Sequence, residues 1–355
     1  MIVAGAGMAG LVTAVRAREL GLDPVVYERG TRPGGSMLLS SGVAWRHTEW
    51  EAFRRECPAG DERLQRLVWE RLDDALDWLR TLGAPVLAEA TENPRTTGKR
   101  FDTRGLTEAL VSRAGALKLG RRAPLDGLEP TVLATGGFGG SPELVERYIR
   151  PAAPLRLRAN PWSTGDGLEH GLEQGAARSA GMDEFYGRNM PDTPWTEAEF
   201  VSASQLYARY VRIFDEDGVE FFRPEDVSWS EANVVQATAR RLGARAYYLL
   251  TEEALADPAV GDRIGPTLAP GELPFQAPEG TAAAVRVVAS ITHTIGGLRV
   301  DERARVLRDD GGAIEGMYAA GVDVGGVATG GYASGLAQAL VLGLIAAASL
   351  ADVCR

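Results

Sequence analysis

The chain is poor in cysteine, in histidine, in positive charge and in long apolar runs. Its two cysteines, Cys57 and Cys354, stand near opposite ends of 355 residues. That excludes a disulfide framework and a cysteine metal cluster, and it fits a reducing, cytoplasmic setting. No C-x-x-C-H and no iron–sulfur spacing occurs, so neither haem nor a cluster is expected, and no metal site. Lys and Arg total 38 against 48 Asp and Glu, a net charge of −10 that argues against nucleic acid and anionic membrane surfaces as partners. The longest apolar run, Leu336 to Leu350, falls short of the roughly 20 residues of a membrane span. It is also broken by Gln338 and Gly343, so a buried helix is expected and no span. No leader precedes the first apolar stretch, and the abrupt start leaves room for residues missing ahead of it.

Glycine is abundant, at 43 residues, and is concentrated in motifs. Ile2-Val3-Ala4 runs into Gly5-Ala6-Gly7-Met8-Ala9-Gly10, a helical pattern follows to about Gly21, and Pro24-Val25-Val26-Tyr27 ends at Glu28. This is strand, glycine turn, helix, strand, acid, the layout of a dinucleotide site. Gly5 makes the turn, Gly7 admits a pyrophosphate, Gly10 lets helix and strand close up, and the helix N-terminus faces the phosphates. Glu28 is placed to hold a ribose hydroxyl. A second glycine turn, Thr31-Arg32-Pro33-Gly34-Gly35-Ser36, follows at once. An NAD domain has no evident need of it, whereas a chain running beneath a flavin nucleotide does.

Further along, Ser36 to Trp50 lacks a period and reads as an active-site loop with Ser41 and Gly42 near its middle. Asp61 to Leu82 is an amphipathic helix, and Leu106 to Ala114 a shorter one. Residues 115–130 are rich in turns. Thr131-Val132-Leu133-Ala134-Thr135-Gly136-Gly137 is a strand entering a glycine turn. Ser163 to Leu168 opens a helix that Thr164 or Asp166 is suited to cap. Residues 181–285 change character: strands near Tyr210–Asp215 and Ala246–Leu250, a helix near Glu231–Leu242, and a hairpin turn at Asp215-Glu216-Asp217-Gly218. The expected architecture is α/β. A discontinuous Rossmann-like domain takes 1–180 and 286–355, and an inserted α+β capping domain takes 181–285. The final helix opens around Thr329-Gly330-Gly331-Tyr332-Ala333-Ser334-Gly335, and its first N–H groups point at whatever sits before it.

Taken together, Glu28-Arg29 … Gly34-Gly35, Ala134-Thr135-Gly136-Gly137-Phe138, Thr164-Gly165-Asp166-Gly167, His293-Thr294-Ile295-Gly296-Gly297, Ala319-Ala320-Gly321 and Gly330-Gly331-Tyr332-Ala333-Ser334-Gly335 resemble the fumarate reductase/succinate dehydrogenase flavoprotein family. The likeness is to its soluble branch of 3-ketosteroid and tricarballylate-type dehydrogenases. It implies FAD, with hydride exchange between flavin N5 and a C–C bond beside a carbonyl or carboxylate, either desaturation or ene reduction. By the same likeness the cofactor set is Gly5, Gly7, Met8, Ala9, Gly10, Glu28, Arg29, Gly34, Gly35, Ser36, Ser41, Gly42, Ala134, Thr135, Gly136, Gly137, Asp166, Gly321, Asp323, Ser334, Gly335, Leu336 and Ala337. Gly35 stands where membrane-bound members carry a flavin-linking histidine, which implies non-covalent FAD, and Asp323 is expected to take over a ribityl hydroxyl.

His293 and Thr294 are implied to bind the substrate carbonyl or carboxylate. Acid/base candidates are Tyr332, Tyr186, Tyr207, Arg209, Arg212 and Arg223. The family's cap arginine motif is replaced by Gly218-Val219-Glu220-Phe221-Phe222-Arg223, and no arginine stands before the last helix. A dicarboxylate substrate is therefore doubtful. Phe185, Tyr186, Trp195, Phe200, Tyr207 and Tyr210 suit a larger, less charged substrate, or serve as cap core. With no second dinucleotide motif, the electron donor or acceptor is external. Three other readings stay open: an FAD oxidase, a catalytically silent FAD-binding protein, and a plain NAD dehydrogenase.

Overall fold

A computed structural model describes residues 1–127 and 129–353, so Cys354 lies outside the described residues. The chain divides into two compact units. The first comprises Met1–Leu144, Asn160–Glu184 and His293–Arg355, and the second Val145–Ala159 and Phe185–Thr292. The second unit thus takes Val145–Ala159 as well, a stretch that reads in sequence as part of the first domain. The chain returns at His293 rather than at 286 because Ala283–Thr294 is one long strand that pairs with second-unit strands along most of its length.

The first unit is built on a six-stranded sheet. Its order is Arg305–Leu307, Ala313–Ala319, Thr131–Leu133, Ile2–Ala4, Val25–Glu28 and Ala116–Leu119. All pairs are parallel except the first. Ala4 lies opposite both Tyr27 and Leu133, and Leu133 opposite Ala319. Four strands therefore end side by side, and the glycine turns that follow them emerge along one edge, which is where parallel sheets carry ligands. The strands read as near-continuous apolar runs because both faces are covered: Ile2, Val3, Ala4, Val132 and Leu133 are all buried.

The helix Met8–Glu19 lies directly on this sheet. A Cβ on Gly10 would collide with the Gly5 carbonyl and crowd Val3, so the closeness of helix and strand depends on that hydrogen atom. The terminal helix, Gly335–Val353, is long and apolar enough to cross a membrane by length and composition, but 61% of its most apolar window is buried against protein. It packs along Met8–Glu19, where the Thr13 hydroxyl donates to both Ala9 O (2.8 Å) and Gly343 O (3.1 Å). Gln338, polar in an apolar run, donates its amide to Gly321 O (2.9 Å) and Val324 O (2.8 Å).

Ser36 to Trp50 is not a plain loop. Gly35–Leu39 forms a 3-10 turn, and Val43–His47 is an edge strand antiparallel to Thr96–Phe101, which pairs on its other side with Val86–Ala88. The Val-Ala-Trp-Arg-His sequence hides its period because Ala44, Trp45 and His47 are all buried. The long helix runs Glu62–Thr81 with Asp61 as its cap, and the shorter one runs Thr103–Val111 with Asp102 as its cap, a turn earlier than its apolar pattern suggests. Residues 116–119 supply the sheet's edge strand, so little chain is left for a meander before Thr131.

The second unit is a sheet in the order Glu220–Phe222, Arg212–Phe214, Arg245–Leu250, Ala283–Thr294 and Thr267–Leu268, with Arg156–Leu157 and Phe185–Pro191 also pairing to the long strand. The hairpin turn falls where expected: Asp215 N–H bonds Val219 O, and Gly218 takes a left-handed conformation (φ +75°). The helix is shorter than its pattern, Ala232–Ala239.

Gly10→Ala is expected to cost about 3 kcal/mol or more, since backbone rather than a flexible side chain must yield. Thermal unfolding of the variant against the parent checks this.

Candidate functional site

The two glycine turns of the N-terminal motif are joined. Gly34 donates its N–H to Ala6 O at 2.7 Å and bridges Gly7, and its φ of +103° needs a residue without a Cβ. Gly5 (φ +110°) makes the first turn. A Cβ on Gly7 would meet nothing within 4 Å, unlike one on Gly5 or Gly10. Gly5 and Gly10 are therefore required by the fold, whereas Gly7 faces open space, the cradle a pyrophosphate needs. Met8 and Ala9 are buried in the first helical turn, and Gly321 packs against Ala9.

Glu28 is buried and accepts from Ala6 N (2.9 Å) and Gly30 N (2.6 Å), which fixes its carboxylate at the strand end. Arg29 and Asp166 are partners: the guanidinium reaches Asp166 at 3.1 Å and also bonds Thr164. Neither Thr164 nor Asp166 caps the following helix, because that position is taken by Gly165 in a left-handed conformation (φ +93°). The Ser36 hydroxyl accepts the Asn160 N–H at 3.2 Å. A Cβ on Gly42 would strike the Phe101 carbonyl, and Ser41 before it is exposed.

Ala134-Thr135-Gly136-Gly137 is organised by Asp323. One carboxylate oxygen accepts from Gly137 N at 2.9 Å, the other from Thr135 N, and the Thr135 hydroxyl donates as well at 2.9–3.0 Å. Burial pushes the Asp323 carboxyl up, while these donors pull it back toward the ionised form. Asp323 is thus buried with its carboxylate serving the Thr135–Gly137 turn.

The terminal helix begins at Gly335, and Ser334 is its cap: Ser334 Oγ accepts from Ala337 N at 3.2 Å and from Trp45 N at 3.3 Å. Gly335 and Leu336 keep their N–H groups for another acceptor among the described residues. The His293 ring lies against Gly335, where a Cβ would sit 3.1 Å from Nε2. Burial lowers His293 to about 4, and the adjacent helix N-terminus disfavours a cation further. Burial thus favours the neutral imidazole of His293 at pH 7. Thr294 is buried beside Gly137 and Val322, and its hydroxyl has no protein partner. Tyr332 is half-buried, its ring 5.2 Å from that of Trp45 and its carbonyl 3.4 Å from His47 Nε2.

The first unit therefore brings His293, Thr294 and the Gly335–Ala337 turn together. Tyr186 and Arg223 belong to the second unit, Tyr186 buried with Arg188 over its ring at 5.0 Å and Arg223 exposed. Tyr207 is fully buried and donates to Gln205 at 2.7 Å, so it serves the core and not proton transfer. Phe185 and Phe200 are buried too, Tyr210 and Arg209 are exposed, and Arg212 pairs with Glu220 at 2.7 Å.

Sequence reasoning missed Glu231. It is buried in the second unit with a left-handed backbone (φ +56°), accepts from Ala208 N at 3.2 Å, and is pushed up to about 7 by burial. Only its place one residue before a helix hinted at it.

The orphaned Thr294 hydroxyl, the open face of Gly7 and the free first-turn donors at Gly335 and Leu336 fit a flavin dinucleotide.

Comparison with known proteins agrees. Residues 128–336 match a family described as FAD binding domain, and residues 3–41 an NAD(P)-binding Rossmann-like domain. A probable fumarate reductase of Shewanella frigidimarina is 22% identical over 98% of this chain and 74% of its own length. Two solved structures share the fold. One is the 3-ketosteroid Δ4-(5α)-dehydrogenase of Rhodococcus jostii (TM-score 0.76, 18% identity, 99% of this chain and 96% of that one). The other is the 3-ketosteroid Δ1-dehydrogenase of Sterolibacterium denitrificans (TM-score 0.76, 16% identity, 99% of each).

Gly7→Ala, extended in backbone and open in space, is expected to fold with an unchanged melting temperature yet lose FAD affinity by about tenfold or more, one misplaced contact of about 1.4 kcal/mol. Fluorescence titration of the apoprotein with FAD measures it. Glu231 holds its proton to about 7 when folded against 4.5 ordinarily, so the folded state binds more protons across that window and stability falls as pH rises through it. Glu231→Gln should lack that slope in melting temperature between pH 5 and 8.

Proposed function

Since this chain belongs to the FAD binding domain family, we propose that it is an FAD-dependent oxidoreductase acting on a carbon–carbon bond next to a carbonyl. It desaturates that bond or reduces the corresponding C=C. FAD, when bound, supplies two-electron hydride exchange. The observation that carries the reading is the His293 ring seated on the first residue of the terminal helix, with the Thr294 hydroxyl unpartnered beside the Thr135–Gly137 turn. The fumarate reductase and ketosteroid dehydrogenase likenesses support the reaction class.

The chain's own residues divide the work. Gly7, Gly34 and the N-terminus of Met8–Glu19 hold the pyrophosphate, and Glu28 the adenosine ribose. Gly335 and Leu336 N–H groups offer hydrogen bonds and a positive dipole end where negative charge develops. His293, neutral, donates a hydrogen bond to the substrate carbonyl and so acidifies the neighbouring C–H. Tyr332 is the first-unit candidate for holding or moving a proton, and Tyr186 and Arg223 are second-unit candidates. Gly35 leaves no side chain for a covalent link, so FAD is held non-covalently. A neutral His293, and no arginine between Thr329 and Gly335, suit a ketone or enone better than a dicarboxylate. The electron donor or acceptor is a separate molecule, and a reducing compartment suits the buried thiol Cys57.

The reading is tested on the purified protein. Its visible spectrum should show two flavin bands released into solution by heat. Under anaerobic conditions saturated ketosteroids should bleach these bands by giving up hydride, or enones should restore them after dithionite reduction by accepting it, while di- and tricarboxylates should do neither. A colourless protein that does not rebind FAD sinks the proposal. His293→Ala should lower kcat/KM by about 100-fold, the scale of one lost oxyanion donor. Because His293 titrates near 4, the wild-type profile of kcat/KM against pH should show no limb from it between pH 5 and 8.

A further inference from the structure

Two separated segments of the first unit carry its reactive side chains: His293-Thr294, and the loop from Thr329 to Gly335 with Tyr332 and the helix start. One residue holds both. The Glu184 carboxylate accepts the Gly330 N–H at 2.7 Å, while its own backbone carbonyl accepts the Ile295 N–H at 3.1 Å. Glu184 is also the last residue before the chain leaves the first unit, and His293 the first on its return.

The loop is otherwise tightly fitted. Gly330 is left-handed (φ +89°) with Pro58 3.0 Å from where a Cβ would stand, and Gly331 lies against the Glu56 carbonyl. The Tyr332 carbonyl faces His47, and Ser334 takes the Trp45 N–H. Backbone packing confines the loop on one side, and the bond at Gly330, being charge-assisted, is the stronger kind of tie.

We propose that Glu184 is a positioning residue: its side chain and main chain together set the Tyr332 loop against His293-Thr294. This rests on the assignment of those residues to the active site.

Burial pushes the Glu184 carboxyl up, and Asp183 beside it adds to the effect, offset by the Gly330 donor. On the segment beneath the loop, Cys57 is pushed up by burial and by Glu56 and Glu184, with a backbone hydrogen bond from Tyr332 and then Arg54 opposing. The ionised carboxylate is the better acceptor, so the tie is strongest above this raised pKa and weakens as pH falls through it.

The test uses the FAD-loaded full chain with Glu184→Ala and Glu184→Gln. Hydrogen exchange of the peptide spanning Thr329–Gly335, expressed as protection factors, should fall about 10-fold in the Ala variant while Met8–Glu19 keeps its protection. The wild-type peptide should lose protection toward acid, and the Gln variant should not. With substrate, Ala should lower kcat more than it raises KM, and Gln should recover much of kcat while flattening the acid limb. Protection and kcat unchanged in Ala, or a loss of protection spread evenly over the first unit, would overturn the proposal. If Ala does not fold, the pH dependence of exchange in Gln decides it. The exchange arm needs no turnover, so it reads the tie even where no substrate is found.

Discussion

A single buried carboxylate holds the first unit's chemistry in place. Asp323 closes the turn after the strand Ala313–Ala319 and takes the N–H groups of Thr135 and Gly137 and the Thr135 hydroxyl. Burying a charge is costly unless hydrogen bonds replace water, and here backbone donors do so. The tie joins residues 188 apart in sequence. It sets the Ala134–Gly137 turn beside Thr294 and Val322, and the Gly321–Asp323 turn in turn anchors the terminal helix through Gln338. The glycines at 136 and 137 follow from the same constraint: side chains there would strike Ser163, Thr294 and Val322.

The N-terminal glycines show how one motif serves two masters. Gly5 and Gly10 are demanded by packing, through collisions with backbone that cannot move aside. Gly7 is demanded by nothing in the protein itself. A residue kept small where the fold leaves open space points to something that fills the space. The unpartnered Thr294 hydroxyl makes the same point from a different segment, because a buried hydroxyl without an acceptor is destabilising until a ligand provides one.

Much of this was legible in the sequence, and the reasons for the rest are physical. Turns were readable because a left-handed φ leaves glycine behind, as at Gly5, Gly34, Gly136 and Gly218. The parallel strands were readable as apolar runs. What local pattern could not convey was which side chain answers which backbone group. The protein partners of Asp323 lie in another strand's turn, where no local pattern points to them. Thr164 and Asp166 look like caps, but Gly165 does that work and Asp166 faces Arg29. The strand Val43–His47 was hidden because its pairing partner, Thr96–Phe101, lies some fifty residues on and because Ala44 is buried on one face while Trp45 and His47 are buried on the other. The cap aromatics illustrate the limit of composition: Phe185 and Tyr207 could have lined a pocket or filled a core, and only burial separates the two.

Charge sets the remaining constraint on substrate. A carboxylate brought beside the flavin must exchange its water for fixed cations, and an arginine fork does so well. The loop before the terminal helix contains none, and His293 cannot stand in, because the density of atoms around it and the helix start at Gly335 both keep it neutral. In the proposed reaction a neutral imidazole N–H and two helix N–H groups would match instead an uncharged oxygen that gains negative charge. Such donors bind the ground state weakly and the charged state strongly, which is the condition for raising rate instead of affinity. The same reasoning explains why a histidine can be kept so deeply out of water here: its proposed role needs a hydrogen atom on nitrogen, and a proton's extra charge would only add a cost of burial with nothing to offset it.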